Sequence, residues 1–148
     1  MDTLDRLFNY MHWANKTWLD YVMNEAADDP YLTKTISHIY LAEQAWFQRL
    51  YQEDLDSRIF EPRPYDELNA LSEKHAKRFP EVAAGDLSRR LAYRRFNGEA
   101  YETAVGDILL HIITHASHHR GQMARYAAQN NLNAPTTDFI TYCRNMGL

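Results

Sequence analysis

The sequence of 148 residues has a single cysteine, Cys143, so no internal disulfide can brace it and no cysteine-based zinc ribbon can form. It has only five glycines, and none sits in a Gly-rich phosphate loop. Basic charge is scarce. Sixteen Lys and Arg stand against 20 Asp and Glu, a net charge of -4 that suits no nucleic acid partner. No apolar run reaches the roughly 18 residues of a membrane span, so no membrane partner is expected. The opening Met1-Asp2-Thr3-Leu4-Asp5 is acidic and lacks the basic and apolar regions of a secretory signal. A cytoplasmic protein is the expectation from these absences.

Core material is plentiful. The apolar share is 45%, with ten Tyr and three Trp, enough for one domain over residues 1–148. Residues 3–24 carry Leu4, Leu7, Phe8, Met11, Ala14, Trp18 and Val22 at helical spacing. A second helix is expected over 31–51, with Leu32, Ile36, Ile39, Trp46, Phe47 and Leu50 as its apolar face. Pro64 suits the first turn of a third helix over 65–79, which Pro80 is expected to end. Residues 87–104 flank Asn97-Gly98, a dipeptide favoured in tight turns, and read as a short extended or hairpin segment. A long fourth helix follows over 106–129, then a turn-rich linker and a short last helix over 136–146. The expected fold class is all-α, a four-helix bundle with a short hairpin and a short C-terminal helix.

The fourth helix holds the unusual feature. His111, His115, His118 and His119, four of the seven histidines, fall within nine residues. At about 100° per residue they share one sector with Gln122, beside the apolar sector of Val105, Leu109, Ile112, Ile113, Ala116, Met123 and Ala127. Neutral imidazole is a good ligand for divalent metals. The pairs His111/His115 and His115/His119 both have the spacing that lets two side chains meet one ion. The alternative is a polar stripe facing solvent. Another helix must supply a further ligand, and His38 is the best placed, at the edge of the second apolar stripe near Ala42 and Ala45. His12 is a weaker candidate, and His75 reads as surface. Gly121 reads as a close-packing position.

Polar residues at core-like positions, Asn15 and Glu43, need buried partners. They, with Arg120 and Gln122, are candidates to orient a ligand imidazole through its second nitrogen. Structural hydrogen bonds are the alternative for each. Trp13, Tyr40, Trp46 and Tyr93 read as core or pocket wall. The Glu-x-x-His pattern of di-iron bundles and the His-Glu-x-x-His pattern of zinc proteases are both absent.

The chain resembles the DinB-like family. The resemblance rests on His12-Trp13-Ala14-Asn15, on His38-Ile39 followed by Glu43 and Trp46, and on Asn97-Gly98-Glu99 before the last long helix. Its most specific part is His115-Ala116-Ser117-His118-His119-Arg120-Gly121-Gln122, with Ala134-Pro135-Thr136-Thr137-Asp138 near the end. The resemblance implies a four-helix bundle, commonly a homodimer, with a divalent metal such as zinc or nickel on His38, His115 and His119. It also implies that His118 faces away from the metal. Some relatives are transferases or isomerases that use a low-molecular-weight thiol such as bacillithiol or mycothiol. The resulting expectation is a thiol-dependent transferase acting on a small-molecule electrophile. A non-catalytic, stress-associated metal-binding dimer and a metal-assisted hydrolase are the alternatives.

Overall fold

The computed structural model describes residues 2–148. Four long helices, α1 (Thr3–Glu25), α2 (Pro30–Leu50), α3 (Tyr65–Ala83) and α4 (Val105–Gln129), form a bundle. A hairpin of β1 (Arg90–Arg94) and β2 (Ala100–Ala104) precedes α4, and a short α5 (Phe139–Met146) closes the chain. Helices α1 and α2 pack together, with α3 on one side of the pair and α4 on the other. The all-α bundle with a small hairpin is therefore the architecture, as the periodicity implies.

Local chemistry sets the helix starts. Asp2 caps α1 by accepting from the Asp5 amide at 2.8 Å. Asp29 caps α2 by accepting from Leu32 N–H at 2.9 Å, with Pro30 in the first turn, where a missing N–H costs nothing. Between the helices lies an apolar core that includes Trp18, Ile36, Phe47, Leu68, Phe79 and Ile108, all fully buried. Phe8 stacks on Phe79 with ring centroids 4.1 Å apart.

Two helix boundaries and the role of Gly121 differ from expectation. Helix α3 runs through Pro80 to Ala83. Proline removes only its own N–H bond, and the turn beyond is held by Ala84 N–H donating to the Pro80 carbonyl at 3.0 Å. Helix α5 starts at Phe139, three residues later than expected. The segment before it is extended because Tyr10 donates to the Thr137 carbonyl at 2.8 Å and Trp18 Nε1 donates to Thr137 Oγ1 at 3.0 Å. Gly121 is not a close-packing site, since a side chain there would meet nothing within 4 Å.

The hairpin is antiparallel, with Tyr93 opposite Tyr101 and Arg94 opposite Ala100. Its turn is closed by Arg95 N–H to the Glu99 carbonyl at 2.8 Å, and Gly98 takes a φ of 90°, which favours glycine. Because β2 runs directly into α4, the hairpin is anchored at that helix's N-terminus. It reaches back to α2, where Arg49 Nη2 donates to the Arg94 carbonyl at 3.0 Å. The hairpin thereby becomes a wall over the α2–α4 groove.

Candidate metal centre

His115 and His119 lie one turn apart on α4, and α2 brings His38 against them. One ring nitrogen from each of the three lies within 4.8 Å of the others. His38 is buried and the other two are half-buried. The His38 ring meets those of His115 and His119 at centroid distances of 5.1 and 4.7 Å. Phe60 stacks on the far face of His38 at 4.3 Å.

Hydrogen bonds set which nitrogen is free. The Ile59 carbonyl stands 2.8 Å from His38 Nδ1. A carbonyl only accepts, so Nδ1 carries the proton and Nε2 offers a lone pair. On His119, Nδ1 lies 2.8 Å from Gln122 Oε1, which also accepts. Gln122 in turn directs Nε2 at His118 Nε2, 3.2 Å away, and so fixes which end of its amide faces His119. His119 Nε2 therefore presents a lone pair to His115 Nε2 at 3.1 Å.

This spacing fits a shared cation. Two nitrogens at about 2.0–2.1 Å from a tetrahedral zinc stand about 3.3 Å apart. Burial pushes all three imidazoles below their ordinary value, which keeps them in the ligating neutral form. His115 falls furthest, to about 3, with burial first and the neighbouring His119, His38 and His111 adding to it. For His38 burial outweighs the Ile59 hydrogen bond, and for His119 it outweighs the Gln122 hydrogen bond. Among the described residues, no fourth His, Cys, Asp or Glu joins the group.

His38 and His115 form one end of a cavity of about 370 Å³. Trp46 and Tyr93 line it, their rings edge to face at 5.0 Å. The hairpin turn contributes Arg95, Phe96 and Asn97. His111 stays exposed, its ring 5.5 Å from that of Trp46, and His118 is exposed beside Gln122.

The sequence matches the DinB family over residues 1–145. The chain belongs to the DinB family. No curated protein matches it. The histidines that the DinB resemblance assigns to a metal are the three that the fold gathers, and the group can hold a metal ion.

The four candidate orienting residues separate. Gln122 alone touches one of the three imidazoles. Asn15 Oδ1 accepts from Arg120 Nη1 at 2.5 Å, and the buried Arg120 also lies over the Tyr10 ring at 5.4 Å. Glu43 faces α3, where its Oε2 stands 3.3 Å from His75 Nδ1. That pair is within ionic reach but outside hydrogen-bond geometry, because both His75 nitrogens lack a hydrogen-bond partner. His75 is not a surface residue; only 2% of it is exposed. It shares the buried stripe of Leu68, Leu71, Ser72 and Phe79, a phase visible in the spacing of α3. His12 is half-buried on α1 and outside the three-histidine group.

Sequence reasoning missed the Ile59 carbonyl, Phe60 and Arg49. The first two reach the site through a loop, which carries no periodic signal. Arg49 had one: His38, Ala42, Ala45, Trp46 and Arg49 follow a helical stripe.

Gln122→Ala is expected to weaken metal binding by roughly 10- to 100-fold, the usual effect of losing a partner that orients a ligand. Since Gln122 is exposed, the helix content stays unchanged. Competition against a chromogenic chelator measures the affinity, and a wild-type value would remove Gln122 from the site.

Proposed function

We propose that this DinB-family protein is a divalent-metal-dependent transferase that joins a low-molecular-weight thiol to an electrophilic small molecule. The observation that carries this reading is the group of three imidazoles without a fourth protein ligand among the described residues, set at the end of an aromatic cavity. Structural zinc sites usually close with four protein ligands, whereas catalytic ones keep a position open. A zinc or nickel ion on three neutral imidazoles keeps its double charge and so favours a thiol in its reactive thiolate form.

The chain's own residues supply position and shelter. Ile59 and Gln122 hold the His38 and His119 rings so that their Nε2 atoms converge. Trp46 and Tyr93 line the cavity and offer apolar faces to an electrophile. In the transfer, the thiolate sulfur bonds to the electrophilic carbon while that carbon's bond to its leaving group breaks. The leaving group departs with the electron pair. Cys143, on α5, packs with its neighbour Tyr142 and with Tyr10 and Ala14 of α1, and does not line the cavity. A thiol cofactor is therefore part of the proposal, as are a reducing cytoplasmic setting and the homodimer implied by the family. No helix among the described residues is long and apolar enough to cross a membrane.

The test uses cobalt-loaded protein titrated with small thiols. A thiolate-to-metal charge-transfer band is expected in the wild type and not in His119→Ala. If no thiol perturbs the spectrum while cobalt stays bound, the transferase reading fails. The same open position then serves a hydrolytic water, or the metal only staples α2 to α4.

A further inference from the structure

The cavity has a second pole. From His38 to Arg49 is eleven residues, about three helical turns, so both point to the same side of α2 with backbones about 16 Å apart. Ala42 and Ala45 lie between them and line the same cavity, and their short side chains leave the groove open. The lining thus carries imidazoles and, about three turns further along α2, a guanidinium.

Arg49 lacks a counter-charge. Among the described residues, no carboxylate forms an ion pair with it; its one hydrogen bond goes from Nη2 to the Arg94 carbonyl. Its Nε is buried without a partner. The guanidinium carbon lies 4.7, 5.1 and 5.5 Å from the ring centroids of Trp46, Phe96 and Tyr93. Partial burial lowers its pKa, as expected for a cation taken out of water without a counter-ion. Arg95, which also lines the cavity, adds positive charge at the exposed rim, though Glu99 stands 3.5 Å from it. Arg120, buried and also without a carboxylate among the described residues, bonds Asn15 and lines a different cavity. Arg63, Arg78 and Arg90 are each paired with a carboxylate.

We propose that Arg49 seats a terminal oxyanion, a carboxylate or a phosphate, of an elongated ligand whose other end meets the three-histidine site. The inference deepens the function proposed above and rests on it only for the metal-binding end being a thiol. A guanidinium set among aromatic rings can give two parallel N–H bonds to an oxyanion, which a lysine cannot match. The aromatic walls would cover the ligand's middle. A ligand with its anion close to its metal-binding head cannot reach both poles.

The test is calorimetric binding to zinc-loaded full-length protein. Mercaptooctanoate and the matching phosphonate are compared with mercaptooctanol, which is the same length but uncharged. Short mercaptopropionate is compared with mercaptopropanol. A parallel series carries a hydroxamate in place of the thiol. A charge-assisted hydrogen bond contributes about 1.5–3 kcal/mol, so the long anions are expected to bind at least ~10-fold tighter than the alcohol. The short pair is expected to show no such preference. In Arg49→Gln the preference falls to about one, with metal content unchanged, and Arg49→Lys retains part of it. Whichever long anion binds tighter, carboxylate or phosphonate, names the source.

If only the hydroxamates bind, and with that preference, the thiol reading fails and the anion seat stands. Three results overturn the seat: no preference in the wild type with either head group, a preference that survives Arg49→Gln, or no binding at all. Equal weakening of anion and alcohol in Arg49→Gln also overturns it, because Arg49 would then serve only to clamp the hairpin.

Discussion

Alanine at His38, His115 or His119 is expected to lower metal affinity by more than ~100-fold, beyond the loss from an orienting partner alone. The three rings place one nitrogen each within 4.8 Å of the others, and no fourth group joins them among the described residues. Each substitution therefore removes a third of the protein ligands. His118→Ala, which removes the exposed ring that Gln122 faces but none of the three ligands, is expected to keep full stoichiometry. Elemental analysis after chelation and reloading measures both, and equal metal content in the triple variant and wild type would falsify the site. Acidity gives a sharper reading. Three imidazoles at the ordinary pKa of about 6.5 would lose roughly 50-fold in affinity between pH 7.5 and 6.0, because protons compete for every nitrogen. Here burial lowers all three, His115 to about 3. Fewer protons bind at pH 6.0, so the affinity is expected to fall by clearly less than that across the interval. A 50-fold drop would show that the rings are solvated and not held as described.

Glu43→Ala is expected to destabilise the protein by about 2–4 kcal/mol while leaving metal stoichiometry intact. Its carboxylate and His75 are both buried and face each other across α2 and α3. Removing the carboxylate takes away the buried ionic contact of His75, a cost of about 1–3 kcal/mol for a buried polar group and more where charge is involved. For a chain of this size the melting temperature falls by about 10 °C. Thermal unfolding measures the first effect and metal analysis the second. Loss of metal without loss of stability would return Glu43 to the metal site, where its position in the sequence first suggested it. His75 is for the same reason a poor control for metal binding, since its own removal disturbs the core.

Much of the fold was legible because helical periodicity is a local property. The apolar positions of α1, α2 and α4 recur every three or four residues, and caps such as Asp29-Pro30 mark the starts. The histidine spacing on α4 is local in the same sense, so His115 and His119 could be paired on paper. His75 shows where this reading stopped short. Its phase with Leu68, Leu71 and Phe79 is periodic too, but a polar residue in such a stripe looks like surface until its partner Glu43, 32 positions earlier, is seen.

By itself the sequence determined the helices, the hairpin turn at Gly98 and the one-sided row of imidazoles. Tertiary structure alone decided which groups meet those imidazoles. The packing of α2 against α4 brings His38 within reach, and the loop after α2 turns the Ile59 carbonyl onto its ring. The fusion of β2 to α4 folds the hairpin over the groove and leaves Arg49 facing aromatic rings, with no carboxylate paired to it among the described residues. These contacts join residues far apart in the chain. Loop carbonyls and hairpin walls follow no period, so their positions depend on how the helices pack and cannot be read from spacing.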